Sequence, residues 1–247
     1  MGRKYKNPPI IEALCEFQFE PGLPWDLAIP GLVYQKVQNE FPKRRQAKQV
    51  EVGLRAGTEG VEQQVRTTDR MQFLREDEKA LIQVGPNLLA VNHLKPYPSW
   101  EGFLPLIQRG FHAYWEVAQP NGIRRIGLRY INRIEIPEQR VELELYFSFY
   151  PSLGANLPQD HTDFIVGVNM PYENERDGLR LQMASAVSEQ PGAIAIFLDL
   201  DYSLRQPGAV RLEETLRWIN TAHDRVEEVF EGCLTDKLRE FFEEVKS

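Results

Sequence analysis

Residues 123–136, IRRIGLRYINRIEI, alternate in chemistry with a period of two: Ile126, Leu128, Tyr130, Asn132, Ile134 and Ile136 fall on one side, and Arg125, Arg129 and Arg133 on the other. A helix would mix these sets on every turn, so the segment reads as a strand. Such a strand needs neighbours for its backbone groups and cover for its apolar side. The sequence offers neighbours on tight turns. Pro137-Glu138-Gln139-Arg140 follows directly, and VELELYFSFY at 141–150 alternates in turn. Closing that turn sets Ile136 opposite Val141, with Ile134 against Leu143, Asn132 against Leu145 and Tyr130 against Phe147, and brings Arg133 beside Glu144. The expectation is a hairpin with an apolar face, a cross-strand ion pair and Asn132 turned inward.

The same period marks residues 9–19, where Ile11, Ala13, Cys15, Phe17 and Phe19 share a side. It recurs in segments near 48–56, 61–75, 79–85 and 87–94, and again at 162–170, 178–189 and 193–203, with Gly-, Pro- or acid-rich turns between many of them. Helical spacing appears at 29–41, where Pro30 suits the first turn and Pro42 ends it. It returns at 100–118, where Ser99 is placed to cap an apolar face of Trp100, Phe103, Leu104, Ile107, Phe111, Tyr114 and Trp115. Leu212, Leu216, Ile219, His223, Val226 and Phe230 then form a helical seam, and a further helix opens after Thr235. Strands joined by short turns pair antiparallel, because parallel neighbours require a long crossover. The chain is therefore expected to be one α+β domain over 1–247, a mainly antiparallel sheet of hairpins and meanders with helices packed on it and a C-terminal helical pair.

With 247 residues and a 42% hydrophobic share, the chain can fill a substantial core. Its net charge is −7, from 36 acidic against 29 basic residues, which does not favour a nucleic-acid coat or a polybasic membrane binder. The opening MGRKYKNPPI lacks the apolar stretch of a signal peptide, and no run of membrane-spanning length follows, so a cytoplasmic protein without a membrane partner is expected. Cys15 and Cys233 have no CxxC or Cys/His spacing, which argues against a disulfide framework or a zinc knuckle. Phosphate-loop, dinucleotide, zinc-protease, nucleophile-elbow and calcium-loop signatures are also missing, and no cofactor is expected.

Several constellations remain. Arg125, Arg129 and Arg133 could track phosphates, although carboxylates of a neighbouring strand would serve as partners equally well. Asp199 and Asp201 share a face of the strand AIAIFLDLDYSL, about 7 Å apart, a spacing that suits two ligands of a hydrated divalent ion and also suits pairing with arginines. Glu12 and Glu16 have the same spacing and read as a charge ladder. His93, Lys95, Tyr97 and Trp100 in NHLKPYPSW mix cationic and aromatic groups as a ligand or partner surface would, while a packed turn accounts for the aromatics as well. Asp160, His161 and Asp163 make a small polar loop. His223 reads as a core or interface histidine, and Lys43, Arg44, Arg45 and Lys48 as a solvated surface. The stretch 211–247 holds ten acidic and six basic residues. Its second helix has more apolar surface than one seam requires, which points Phe241 or Phe242 at a subunit or partner interface.

Taken in order, NPPIIEALCEF (7–17), NHLKPYPSWEGF (92–103), GLRYINRI (127–134), FLDLD (197–201) and AHDRVEEVFEGCLTDKLREFF (222–242) resemble a sporadically distributed bacterial family of uncharacterised proteins, over nearly the whole chain. The resemblance transfers no catalytic residue, cofactor or substrate, so Glu12, Tyr130, Asn132, Arg133 and Asp201 are motif positions without roles. It implies an accessory gene, of the kind found in defence or toxin–antitoxin-like operons. The expectation is a non-enzymatic interaction or regulatory protein with a protein partner or a second copy of itself. The alternative is a metal-dependent or nucleic-acid-processing factor using Asp199, Asp201 and the arginine strand.

Overall fold

The computed structural model describes residues 3–57, 60–158 and 162–245; for 49–57 and 60–68 only the backbone is described. Nine strands are hydrogen-bonded in the order β2-β3-β4-β5-β1-β6-β9-β8-β7. They are β1 (Ile10–Glu20), β2 (Lys43–Gly57), β3 (Gly60–Leu74), β4 (Ala80–Gly85), β5 (Leu88–Leu94), β6 (Gly122–Ile136), β7 (Ile165–Tyr172), β8 (Asp177–Ala186) and β9 (Ile194–Leu204). Four α-helices accompany them among the described residues: α1 (Ala28–Val37), α2 (Trp100–Ala118), α3 (Thr215–Cys233) and α4 (Asp236–Phe241). This is the expected α+β architecture, an antiparallel sheet with a C-terminal helical pair. No helix of the described residues is long and apolar enough to cross a membrane.

Chain contacts divide the molecule into two compact units. One comprises Met1–Cys15, Leu94–Tyr97 and Arg125–Ser247; the other comprises Glu16–His93 and Pro98–Arg124. The second unit holds the meander β2 to β5 with α1 and α2. Its core is aromatic: Phe19 stacks on Tyr114 with ring centroids 4.8 Å apart, and Phe17 lies 5.1 Å from Phe111. Burying each such side chain contributes about 1.5–3 kcal/mol. Gly110 lets α2 approach the strands, since a Cβ there would sit 2.9 Å from Val91 Cγ2. Ser99 does not cap α2 as expected. Its φ of 100° lies outside the extended conformation that aims an N-cap hydroxyl at the helix, and its side chain makes no capping bond. The basic residues Lys43, Arg44, Arg45 and Lys48 lie on β2, and Arg44, Arg45 and Lys48 are exposed.

In the first unit β6 alternates as expected, with Ile126, Leu128, Tyr130, Asn132, Ile134 and Ile136 buried. Its partner is different. Residues 141–150 form no strand, only a single tight turn at Leu143–Leu145. Leu143, Tyr146 and Phe147 are the buried members, a three-and-four spacing that a turn satisfies and an extended chain does not. The segment is tied instead to the end of α3: Phe147 bridges Leu234, and Ser148 N–H donates to the Cys233 carbonyl at 2.8 Å. The pairing side assigned to 141–150 belongs to β9, with Ile136 opposite Ile194, Arg133 opposite Phe197 and Arg129 opposite Asp201. Arg133 therefore meets Glu135, 2.7 Å away, and not Glu144.

α3 packs against β9, as its amphipathic pattern requires. The buried seam is Thr215, Trp218, Ile219, Ala222, Val226 and Cys233, shifted from the predicted line so that Leu212, Leu216 and Phe230 are only half-buried. One buried carboxylate fastens this layer. Asp177, at the start of β8, accepts from Trp218 Nε1 at 3.0 Å, Tyr202 OH at 3.2 Å and Arg176 Nη2 at 2.6 Å.

Candidate functional site

Three strands bring the arginines and aspartates of the first unit together on one face. Arg129 lies opposite Asp201, and Asp201 lies opposite Arg180 of β8. The strongest pairing runs diagonally: Arg129 Nε and Nη2 donate to the two oxygens of Asp199 at 2.7 Å each. Such a bidentate fork is the best geometry a guanidinium and a carboxylate can adopt. Arg180 Nη2 reaches the same Asp199 at 3.2 Å, and Arg125 Nη2 lies 3.5 Å from Asp201. Gly127 makes room for this, because a Cβ there would stand 2.9 Å from Arg125 Nη1. The hydrogen bond to Asp199 holds the Arg129 guanidinium above its ordinary range. Burial raises the Asp201 carboxyl, and the nearby charges of Arg125, Arg180 and Arg129 pull it partly back.

Both aspartates lie against arginines. No group of three or more His, Cys, Asp or Glu is placed to hold a metal ion among the described residues. Arg133 stands apart from the fork, donating through Nη2 to the Val187 carbonyl at 2.6 Å and lying over the Phe197 ring. Arg180 was not singled out from the sequence. The signal was present in its place on a strand of matching alternation, but the strand order was needed to bring it beside β9.

On the buried face, Tyr130 links two segments: its hydroxyl is 3.1 Å from Tyr97 OH and 3.2 Å from His223 Nδ1. Burial, then the neighbouring Tyr97 hydroxyl, raises its pKa well above the ordinary phenol value, so it stays protonated and joins the loop to α3. Asn132 is buried beside it, donating through Nδ2 to the Leu198 carbonyl at 3.0 Å. The other members of the NHLKPYPSW segment do not join this group. His93 is buried edge-on to Phe103, Trp100 meets the same ring, and Lys95 is exposed. Phe242 is 3% exposed and packs edge-on to Tyr5, whereas Phe241 is 46% exposed. Asp163 approaches Ser185 Oγ at 3.3 Å; Asp160 and His161 lie outside the described residues.

A further site carries no charged residue at all. β7 ends the strand order, pairing only with β8, so one side of its backbone has no strand neighbour among the described residues. Its residues IVGVNMPY include no charge and no proline before Pro171. Val166, Val168 and Met170 lie in register with Met183, Leu181 and Leu179 on one face, while Ile165, Gly167 and Asn169 lie on the face of the arginines. Ile165 is 71% exposed and Val168 42%. Behind the strand, Asn169 stands opposite Arg180, so one cross-strand row reads Arg129, Asp201, Arg180, Asn169. A scan against protein-family models matches no family, and no curated protein matches the chain.

Proposed function

We propose that this chain is a protein-binding module that takes an extended segment of a partner protein onto the free side of β7. The observation that carries the reading is β7 itself: a terminal strand, uncharged from Ile165 to Tyr172, on which Ile165 and Val168, on opposite faces, are both exposed. Exposed strand edges template pairing with another chain, and proteins normally blunt them with charge, proline or cover. Strand addition uses such an edge productively, with main-chain hydrogen bonds supplying affinity and alternate side chains supplying selectivity. This accords with a non-enzymatic interaction or regulatory protein of an accessory operon. Phosphate or metal chemistry on the charged face would first have to displace a bidentate pair, since Arg129 and Asp199 already hold each other.

The reading is tested by selecting a phage-displayed random nonapeptide library on the full chain and mapping amide hydrogen exchange with the selected peptides bound. Slowed exchange within Ile165–Met170, lost in a Val168→Lys variant, supports strand addition. Selected peptides that leave these amides unchanged, or a library yielding none, overturn it.

A further inference from the structure

We infer that the strand accepted by β7 carries a carboxylate opposite Asn169 and apolar residues after it, in the pattern acid, apolar, any, apolar, apolar. This rests on the strand-addition reading above and deepens it.

Charge complementarity runs along one cross-strand row. From β6 outward the cross-strand neighbours are Arg129, Asp201, Arg180 and Asn169. Charge alternates to Arg180, then meets a neutral amide at the edge. Directly opposite side chains on paired strands lie about 4.5–5.5 Å apart, so the residue facing Asn169 on an added strand is within reach of its amide, with the Arg180 guanidinium one row behind. An amide donates to a carboxylate, and the cation behind it favours the charged form. A lysine in that position would meet Arg180 as a like charge.

The remaining positions follow from the pleat. An added strand running antiparallel, as β7, β8, β9 and β6 run to one another in turn, passes Asn169 first and Ile165 last. Its second and fourth residues then fall on the face of Val168 and Val166, and its fifth lies opposite Ile165. Each of these is apolar and at least partly exposed. The third faces Gly167, which presents no side chain and so imposes no selection. A second copy of this chain fits less well: β7 paired with itself about Gly167 would set Asn169 against Ile165 and leave no carboxylate in the row.

The nonapeptide selection separates the two levels of the claim when repeated on an Asn169→Asp variant. The substitution is at an exposed position and adds a negative charge where the acid is expected. With the wild type, enriched peptides should show Asp or Glu four residues ahead of an apolar residue, with apolar residues at the two intervening inward positions. With N169D that preference should fall about two- to fivefold, the range of an exposed ion pair. Peptides that protect the β7 amides yet show no acid preference on the wild type overturn the pattern while leaving strand addition standing. Peptides that never protect those amides remove both. A doubled mass in light scattering that Val168→Lys reverses would assign the edge to a second copy, which also overturns the pattern.

Discussion

β2 and β7 are the two end strands of the sheet, and they treat their free sides in opposite ways. β2 opens with Lys43, Arg44, Arg45 and Lys48, each of which keeps a charge at the edge. Lys43 is held 3.1 Å from Glu78, Arg44 lies over the Tyr34 ring, and Arg45 Nε donates to Gln72 at 2.6 Å. A strand approaching β2 would have to desolvate these cations. β7 has no such guard, and the charges nearest to it sit one strand back, Arg180 among them, sharing Asp199 with Arg129. Both strands are open in the sense of topology, but only one is open in the sense of energy. One end strand is guarded and the other is not, the difference on which the proposed strand addition rests.

The largest test of this contrast concerns what holds the β7 side of the sheet. Asp177→Ala removes a fully buried acceptor and leaves Trp218 Nε1 and Tyr202 OH without it. The expected loss is about 3–5 kcal/mol, read from urea melts, with Asp177→Asn recovering part of it. A loss below about 1 kcal/mol would mean that β8, and β7 with it, is not fastened to α3 through this residue. A smaller effect comes from transferring the character of one edge to the other. Arg45→Val with Lys48→Val should change stability by no more than about 1 kcal/mol yet raise the mass seen by light scattering, because β2 loses its guard. An unchanged mass would show that charge is not what keeps β2 single.

The smallest effect concerns the row behind β7. Burial raises the Asp201 pKa, so the folded state holds its proton more tightly than the unfolded chain. The stabilisation from that proton is complete below the unfolded value, about 3.9, and is lost as the pH rises through the raised folded value. Asp201→Asn should therefore melt at or slightly above the wild-type temperature at pH 7, with a flatter acid arm. A clear drop at pH 7 would instead make the ion pair with Arg125 the larger contribution.

Much of the sheet could be read from local pattern, because alternation along β1, β6, β8 and β9 reports burial on each strand separately. The pairing of β6 could not. Its alternation and the turn after Ile136 agree with a hairpin, but the competing information lies far away: β9 begins at Ile194, and Pro9 accepts from Arg133 N–H at 2.9 Å. No local window contains those partners. Within the charged face, the two aspartates and three arginines were visible as candidates, and pairing between them was one of two readings. Which arginine meets which aspartate depended on register, and Arg180 entered only through it. The β7 edge was legible as a strand but not as an edge, since being last in the order is a property of the whole sheet.

Burial of the two cysteines has a practical consequence for optical work on the molecule. Cys15 is fully enclosed and out of reach of a reagent, and burial pushes the Cys233 thiol up to about 12, so Cys233 supplies little thiolate near neutral pH. The chain has only these two. A cysteine placed at Ile165, where the native side chain is mostly in solvent, would therefore be alkylated far faster than either. A maleimide dye would settle there without the native thiols being removed, and the wild-type background would serve as a fluorescence reporter of whatever comes to lie along β7.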